Sequence, residues 1–461
     1  TDTEVLANLI QYNFDELKNV KQTMMKTVSE LKGHFAFVVI FEDGTLAAAR
    51  FHEPLIVGIG KNSHYLSSDV LGFIEKTDDV VYLDNEDFVI INQNGLSISK
   101  FDGSKAEYQI TKVSKEFADV YKGDYAHFTL KEISEQSSTI IKAGNDERIE
   151  DVVNLISKAK NLYITGSGTS YNAARITKYL FSKYAKLKIE PIISSELPFS
   201  PDSIEENSTL IAISQSGESA DVLEAVKIAK ESNSKILSIV NHLNSSLSQE
   251  SDAVINLNCG PEIGVAATKS FTSQLAILYK ITNKICNQCM NLDWEKISDG
   301  ISKVLDNDSK IKELAKDLKE VSDIYILGRG IHFPIAKEAA LKLKELTYIH
   351  AEGIPGGELK HGPLALMDSN VYVIIINPED STYQDTLNSA NEIKARGAKI
   401  IGISNKKNSA YDYWIEIPEM EEVSYPLIEI IPIQLLAYYA ALEKDTDPDY
   451  PRNLAKSVTV K

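Results

Sequence analysis

A strand-like run from Thr209 breaks at Ser214 into a hydroxyl-rich turn, SQSGES, and a pattern with helical spacing follows. The first N–H groups of a helix lack intrahelical partners and lie at the positive end of the helix dipole, so such a turn suits a phosphate. Four polar side chains would add donors: Ser214, Gln215, Ser216 and Ser219. No Gly-Lys-Ser/Thr follows, which favours a sugar monophosphate over a nucleotide. The alternative is an ordinary helix cap, because serine and aspartate are common there.

A lysine and a glutamate three residues apart, Lys342 and Glu345, share one face of a predicted helix. A glutamate near a lysine on a pocket-facing helix could act as a general base for a proton next to a carbonyl. The alternative is a solvated surface pair. His361 lies among glycines and a proline, where it is either a loop packing residue or an acid/base group poised near neutral pH.

Metal and redox chemistry receive little support from the sequence. There is no HExxH motif, and residues 445–449 lack the glycine and distal glutamate of a calcium loop, so no metal is predicted. Cys286 and Cys289 form a single CxxC at the end of a helical stretch, which favours an ordinary buried helix end over a metal or redox site. Three cysteines do not make a disulfide framework and indicate a reducing compartment.

Composition narrows the class of protein. The 461 residues suggest about three domains, and the apolar fraction of 43% with 25% charged residues is that of a soluble globular chain. A net charge of -18 argues against nucleic-acid and anionic-membrane partners. The longest apolar runs, such as residues 371–376, are far shorter than a membrane span.

An internal repeat organises most of the chain. Residues 161–168 are echoed by residues 323–330, with the first glycine at Gly166 and again at Gly328. Residues 234–241 are echoed in the same order by residues 398–405. Each copy alternates short β-branched strands with helical stretches, which predicts two tandem doubly wound α/β domains with parallel sheets. The second copy has INPED, residues 376–380, in place of the serine turn, so only the first is expected to keep the phosphate site.

The repeat and the pattern of helical and strand segments predict the domain boundaries. Residues 1–112, a helical region followed by short strands, form a partial α+β domain, and residues 113–146 form a linker. The two copies span residues 147–290 and 311–448. By composition alone, residues 449–461 are a fraying terminus. The absence of an initial methionine and of a signal sequence suggests an internal start, that is, a fragment or a processed product.

Several segments together resemble the glutamine:fructose-6-phosphate aminotransferase family, also called glucosamine-6-phosphate synthase. They are GSGTSYNAARI, SQSGESADVLEAV, EIGVAATKSFTSQL, LGRGIHFPIAKEAALKLKELTYIHAE, GELKHGPLAL and the terminal PRNLAKSVTV. The resemblance implies two sugar isomerase (SIS) domains after a partial N-terminal-nucleophile glutaminase domain. It implies conversion of fructose 6-phosphate, with nitrogen from glutamine or ammonia, into glucosamine 6-phosphate, without a cofactor, by a cytoplasmic homodimer or higher homo-oligomer.

The resemblance also assigns roles to residues. Sugar and phosphate contacts fall to Gly168, Thr169, Ser170, Ser214, Gln215, Ser216, Ser219, Val265 and Ala455. Glu345, beside Lys342, would move a proton between C1 and C2. His361 would assist ring opening, reaching a neighbouring subunit's site, and Lys456 would form a Schiff base with the ketose. That role needs a neutral amine and a tail that folds over the sugar. Asp2 would bind the amino group of glutamine.

The chain departs from the family pattern at three points. Ser167 replaces a common cysteine, Ala267 replaces a common serine, and the nucleophilic N-terminal cysteine is not in this sequence. The chain as it stands is therefore not expected to hydrolyse glutamine. It is expected to keep sugar-phosphate binding together with isomerisation or ammonia-dependent chemistry, while the parent protein has the full activity. The alternatives are an SIS-type sugar-phosphate-binding regulator and a glucosamine-6-phosphate deaminase. Glu345 and Lys456 argue against the regulator, and residues 1–112 argue against the deaminase.

Overall fold

The computed structural model describes residues 1–33, 35–51, 53–61, 63–68, 70–113, 122–146 and 148–458. Part of the predicted linker and the last three residues of the predicted tail lie outside the described residues. The chain forms two compact units, one up to residue 121 and one from residue 122 onward. The second unit contains both copies of the repeat.

The first unit combines two helices with two four-stranded antiparallel sheets, ordered β1-β2-β6-β7 and β4-β3-β5-β8. Its elements are α1 (Asp2–Leu17), α2 (Val20–Glu30), β1 (Phe35–Ile40), β2 (Leu46–Phe51), β3 (Ile56–Ile59), β4 (His64–Ser67), β5 (Asp79–Tyr82), β6 (Asp87–Asn92), β7 (Gly95–Lys100) and β8 (Thr111–Lys112). Met24 and Val28 of α2 pack on one face of the first sheet, and Val57 and Val81 of the second sheet pack on its other face. The predicted α+β character is confirmed.

The first copy of the repeat is a five-stranded parallel sheet in the order β10-β9-β11-β12-β13. The elements of this half are α3 (Phe128–Ser134), α4 (Gln136–Lys142), α5 (Ile149–Lys158), β9 (Leu162–Gly166), α6 (Gly168–Leu180), β10 (Glu190–Ile193), β11 (Thr209–Ser214), α7 (Ala220–Glu231), β12 (Lys235–Val240), α8 (Ser246–Gln249), β13 (Ala253–Asn256) and α9 (Lys269–Ile285). Every residue of β9 and of β11 is buried, as expected for strands covered on both faces.

The second copy repeats this topology as β15-β14-β16-β17-β18, again entirely parallel. Its elements are α10 (Trp294–Asp306), α11 (Ser309–Asp317), β14 (Asp323–Gly328), α12 (His332–Thr347), β15 (His350–Pro355), β16 (Tyr372–Ile376), α13 (Tyr383–Lys394), β17 (Lys399–Ser404), β18 (Tyr413–Glu416) and α14 (Ile430–Glu443). The prediction of two doubly wound parallel domains is confirmed. The strand order reverses between β9 and β11 in the first sheet and between β14 and β16 in the second, and folds of this kind bind ligands at such a point.

The residues from Glu422 to Glu443, which include α14, are long and apolar enough to cross a membrane, although the sequence analysis found no such run. Within the fold, however, 89% of an 18-residue apolar stretch of this segment is buried. The segment therefore belongs to the core that joins the two copies, where Ile433 and Leu436 pack in the same cluster as Leu275 of α9.

One expectation about the cysteines is wrong. Cys286 and Cys289 form a disulfide just beyond α9 instead of an ordinary buried helix end, and Cys289 is exposed. Cys259 stays free and buried. The spacing of three residues brings the two sulfurs together because the chain turns sharply at Asn287 and Gln288, which both have a positive φ.

Candidate active site

The serine turn connects β11 to α7 at the carboxyl edge of the first parallel sheet. Ser214 Oγ accepts the Gly217 N–H at 3.0 Å and lies 3.0 Å from Ser219 Oγ, so the turn closes on its own hydroxyls. Gly217 has a φ of 71°, and a Cβ there would clash with Ser245 Oγ. The position therefore requires glycine, and the turn keeps the backbone close to the start of α7.

The start of α7 carries no side-chain cap. Ser219, the residue before the helix, makes no side-chain capping hydrogen bond. The Ala220 N–H instead donates to the carbonyl oxygen of Val458, 3.2 Å away in the C-terminal tail. An oxygen of the protein itself thus lies at the helix end where an anion is expected to bind.

The glycine turn after β9 brings two predicted sugar-binding residues, Thr169 and Ser170, to the start of α6. Both hydroxyls are engaged: Thr169 Oγ1 donates to Glu338 Oε1 at 2.9 Å, and Ser170 Oγ accepts from Gln274 Nε2 at 3.0 Å. Ser167, which departs from the family pattern, lies 2.6 Å from Ser194 Oγ. Gly168, with a φ of 52°, makes the turn possible.

Helix α12 supplies a buried row of charges. Lys342 is fully buried, and its Nζ lies 2.6 Å from Glu345 Oε2, 3.4 Å from Glu338 Oε1 and 3.2 Å from Thr169 Oγ1. Lys342 Nζ and Glu345 Oε2 form an ion pair but not an aligned hydrogen bond, because the buried Glu345 Oε2 has no hydrogen-bond partner among the described residues. The alternative of a solvated surface pair is therefore wrong. Helical periodicity alone could not distinguish the two cases, because it does not show which face is covered.

The electrostatics of this row keep the lysine charged. Burial alone would lower the pKa of Lys342, but the carboxylates of Glu345 and Glu338 outweigh burial and raise it. Burial raises the pKa of Glu338, which also accepts from Asn172 Nδ2 at 2.8 Å. Glu338 was not predicted from the sequence, although its place four residues before Lys342 on the same helix face could have indicated it.

The C-terminal tail is held against both copies, contrary to the expectation of a fraying terminus. Lys456 Nζ donates to Glu262 Oε2 at 2.7 Å and to the Gly264 carbonyl at 2.8 Å. The Val265 N–H donates to the carbonyl of Asp449 at 3.0 Å. Arg452 lies over the ring of Tyr348, 4.2 Å from its centroid. Ala455 is exposed in the same segment.

Glu262, which the sequence analysis did not single out, anchors this tail. It is buried and accepts from the Thr268 and Ser270 N–H groups and the Ser270 hydroxyl, besides Lys456. Burial alone would raise its pKa, but the lysine and these donors lower it to about 2. The Glu262 charge also contributes to the raised pKa of Lys342, so the tail anchor and the α12 row are close enough to interact.

A second buried carboxyl group, Glu132, lies beside this anchor. It accepts from the N–H groups of Ile263 and Gly264, and its Oε2 has no hydrogen-bond partner within the described residues. Burial and the neighbouring Glu262 charge raise the pKa of Glu132 to about 8. The two carboxyl groups therefore differ in protonation at neutral pH, with Glu132 holding a proton and Glu262 ionised. Glu132 lies outside the segments that carried the family resemblance.

Two predicted site residues do not join this group. His361 ends a short 3-10 turn, Gly356–His361, where it is exposed and its side chain forms no hydrogen bond or ion pair with a described residue. Asp2 begins α1 in the first unit, where its carboxylate accepts from the Thr3 N–H at 2.9 Å.

In the second copy a buried histidine contacts the turn that stands in place of the serine turn. His332 at the start of α12 is fully buried, with Nδ1 2.9 Å from both carboxylate oxygens of Glu429 and Nε2 2.9 Å from Asp380 Oδ2. Burial alone would lower its pKa, but the two carboxylates raise it to about 10. The other Asp380 oxygen accepts the Thr382 N–H at 2.7 Å. A carboxylate of the protein thus accepts an N–H group at the turn before α13.

Comparison with known proteins identifies the class. The SIS domain family model matches residues 155–283 and 317–444, so the chain is a tandem SIS-domain protein. The glutamine–fructose-6-phosphate aminotransferase (isomerizing) of Thermococcus kodakarensis is 39% identical over this whole chain and 79% of its own length. That of Rhizobium meliloti is 40% identical over this whole chain and 80% of its own. The chain belongs to the glutamine–fructose-6-phosphate aminotransferase (isomerizing) family.

Solved structures agree with this assignment. The C-terminal domain of glucosamine-fructose-6-phosphate aminotransferase from Francisella tularensis is 35% identical, with a TM-score of 0.65, and covers 72% of this chain and 100% of its own. Glucosamine-6-phosphate deaminase from Thermotoga maritima is 25% identical, with a TM-score of 0.58 over 72% of this chain and 99% of its own. The protein is therefore an enzyme of the aminotransferase family.

Proposed function

We propose that this chain binds fructose 6-phosphate between its two SIS domains and converts it into glucosamine 6-phosphate with ammonia as the nitrogen donor, without hydrolysing glutamine itself. The observation that supports this most directly is the meeting of three distant segments. The tail contacts the serine turn through Val458 and the Glu262 loop through Lys456. The glycine turn meets α12 through Thr169.

The phosphate is proposed to bind at the serine turn and the first turn of α7. Ser216 and Ser219 supply hydroxyl donors there, and Gln215 adds an amide. The Val458 carbonyl, which accepts the Ala220 N–H in this structure, would give way to a phosphate oxygen. A phosphate forms stronger, charge-assisted hydrogen bonds with such N–H groups than a neutral carbonyl does.

Glu345 is proposed as the base that moves a proton between C1 and C2 of the open-chain sugar. The base is held by Lys342, which is held in turn by Glu338 and Thr169. Because Lys342 is buried and charged, it can also stabilise the negative charge that develops on the enolate oxygen.

Lys456 is proposed as the residue that forms an imine with the C2 carbonyl. Its nitrogen attacks C2, the carbonyl oxygen leaves as water, and the imine takes up a proton to become a cationic iminium. In this structure Lys456 Nζ lies 2.7 Å from Glu262 Oε2, and an ammonium group is not nucleophilic. The proton must therefore leave before attack, and the same carboxylate can then stabilise the iminium.

The proposed chemistry consists of proton transfer and imine formation, which carboxylates and an amine supply, so the proposal assigns no cofactor. We also propose a cytoplasmic homo-oligomer. The exposed His361 supports this, because its proposed role in ring opening requires a neighbouring subunit's site.

Borohydride trapping tests the proposal. The protein is incubated with fructose 6-phosphate, reduced with sodium borohydride, digested and mapped by mass spectrometry. We expect a sugar adduct on Lys456 and none in Lys456→Arg. Lys444→Arg, which changes a lysine whose amine binds backbone carbonyls away from the site, serves as the matched control. An adduct on another lysine, or none although the sugar binds, would contradict the mechanism.

A further inference from the structure

A cavity of about 620 Å³ lies beside the second copy, away from the proposed sugar site. It is bounded by α6 and by the two turns that follow β14 and β16, represented by Gly330 and Ser381. These turns correspond to the glycine turn and the serine turn of the first copy. The cavity is thus the counterpart of the proposed sugar site, related to it by the internal repeat.

Individual positions support this correspondence. In sequence, Ser219 and Ser381 are as far apart as Gly166 and Gly328, the first glycines of the two copies, so they are equivalent positions of the repeat. Lys183 and Glu345 have the same separation. Glu422 follows Glu262 by the interval between the first residues of β18 and β13. Lys183, Ser381 and Glu422 all line the cavity.

The chemistry at these positions is altered. Lys183 takes the place of the proposed base Glu345, and its Nζ pairs with Glu422 at 2.9 Å. Glu422, in the place of Glu262, also accepts from the Ser381 hydroxyl at 2.9 Å. A cavity with a lysine in the position of the base can bind a sugar but cannot move its proton in the same way.

The wall formed by α6 carries the positive charge of Arg175, which has no acidic partner among the described residues. Its guanidinium lies 4.6 Å from the centroid of the Phe333 ring and forms no hydrogen bond or ion pair with a described residue. Lys337 lies over the same ring, and burial together with the Arg175 charge lowers its pKa. Two neighbouring cations that share one ring form a local positive region suited to an anion.

In this cavity an anion cannot bind at the start of the helix after the turn, as is proposed for α7 in the first copy. The start of α13 is closed by the Asp380 carboxylate, which accepts the Thr382 N–H and is held by His332. The Arg175 guanidinium remains available for phosphate, with which arginine forms paired hydrogen bonds. Glu190, Glu422 and Ser381 also line the cavity and offer partners for sugar hydroxyls. Beyond Leu180, α6 continues as a π turn, Phe181–Ala185, that directs Ser182 and Lys183 to the cavity.

We propose that this cavity is a second, non-catalytic binding site for a monosaccharide phosphate, with its phosphate on Arg175 and its hydroxyls on Glu190, Ser381 and Glu422. The inference rests on the proposed function for its ligand class, because it takes the cavity as the altered copy of a sugar-phosphate site. The volume lies within the usual range for small-molecule sites.

Equilibrium dialysis with radiolabelled fructose 6-phosphate tests the proposal by counting bound molecules per chain. We expect two in the unchanged protein and one in Arg175→Met. Ser182→Trp, which fills the cavity from an exposed position, should also bind one. Arg396→Met changes an exposed arginine of the second copy that does not line the cavity, and this variant should still bind two. Thermal unfolding checks that each variant is folded.

The double variant Ser216→Ala, Ser219→Ala separates this inference from the proposed function. It should lose the molecule at the serine turn and keep the one in the cavity. The second site would be overturned, and the first supported, if the unchanged protein bound one molecule per chain, the serine variant bound none and Arg175→Met still bound one. Two molecules that persist in both Arg175→Met and Ser182→Trp would also overturn it. Loss of a molecule in Arg175→Met but none in the serine variant would support the cavity and contradict the proposed sugar site.

Discussion

At the scale of single residues, the candidate site depends on how burial sets the charge of each group. Lys342 has no exposed surface and lies between two carboxylates, which hold it as a cation. A fixed cation next to Glu345 both orients the carboxylate and offers charge to an enolate. Each residue of this row therefore has a different role, and the roles can be separated by substitution.

Removal of the proposed base should slow isomerisation and leave sugar binding intact. In Glu345→Gln the amide keeps the shape of the side chain but cannot accept the proton, so we expect kcat to fall by ~10² to 10⁴-fold with little change in KM. The measurement is the steady-state rate of fructose 6-phosphate isomerisation. Glu352→Gln, an exposed glutamate just beyond the same helix, is the matched control. A kcat within twofold of the unchanged protein would exclude Glu345 as the base.

Glu132 gives a residue-scale prediction about pH. Its folded pKa of about 8 lies above the ordinary value of 4.5, so the unfolded chain releases this proton at lower pH than the folded protein. The unfolded state then binds fewer protons between these values, and stability falls as pH rises through this window. Glu132→Gln, which mimics the protonated acid, removes this loss and should gain stability relative to the unchanged protein by on the order of 4 kcal/mol between pH 4.5 and 8.

Urea unfolding at pH 5, 6.5 and 8 measures this difference. The exposed Glu107→Gln controls for loss of a charge and should show a difference that does not change with pH. If the advantage of Glu132→Gln stayed the same at all three pH values, the buried carboxyl group would be ionised in the folded protein throughout.

At the scale of elements, the turns that follow β9 and β11 and the helix α12 position the proposed chemistry. The sequence predicted the turns well, because apolar strands, turn residues and helical spacing are local signals. It also predicted two copies, because the echoed segments keep their spacing. It could not show that the serine hydroxyls of the turn bond to one another, since that depends on the exact backbone path.

The contacts between distant segments were not predictable from local pattern. The meeting of Thr169 with Lys342, and of Lys456 with Glu262, joins residues 173 and 194 positions apart. Periodicity places each of them on an element but does not say which elements touch. The resemblance suggested that Lys456 works with the sugar, whereas its carboxylate partner and Glu132 were found only in the structure.

The serine turn gives an element-scale prediction. In Gly217→Ala the new Cβ would meet Ser245 Oγ, and alanine is strained at a φ of 71°. We expect KM for fructose 6-phosphate to rise at least ~10-fold, because the turn can no longer hold its N–H groups toward the phosphate. Gly44→Ala is the matched control, since Gly44 also has a positive φ but no described atom within 4 Å of the place where a Cβ would stand. An unchanged KM would show that the turn does not hold the phosphate.

At the scale of the whole molecule, the proposed site is assembled from both copies and from the tail. The exposed His361 adds the prediction that the site is completed by a second subunit. In such an arrangement, two subunits that are inactive for different reasons can together form one active site. The assembly, and not the single chain, would then be the unit of activity.

Mixed oligomers of His361→Ala and Lys456→Met subunits test this arrangement. Each variant alone should have little activity, but a mixed dimer would contain one site with both residues intact. Random pairing should therefore restore about a quarter of the activity of the unchanged protein. The measurement is glucosamine 6-phosphate formation with ammonia after co-expression, with the assembly size taken from sedimentation. No recovery in demonstrated mixed dimers would place His361 in the site of its own chain, or outside it.

The packing of α6 against α12 has a consequence for how this chain could have arisen. Each copy lends one helix to the cavity of the other, since α12 enters the proposed sugar site and α6 lines the cavity of the second copy. Neither copy therefore holds a complete cavity by itself, which is the geometry expected if the two subunits of a two-fold dimer were joined into one polypeptide. In such a chain the two cavities need not stay identical, so one can carry the proposed proton chemistry while the other has a lysine at the position of the proposed base.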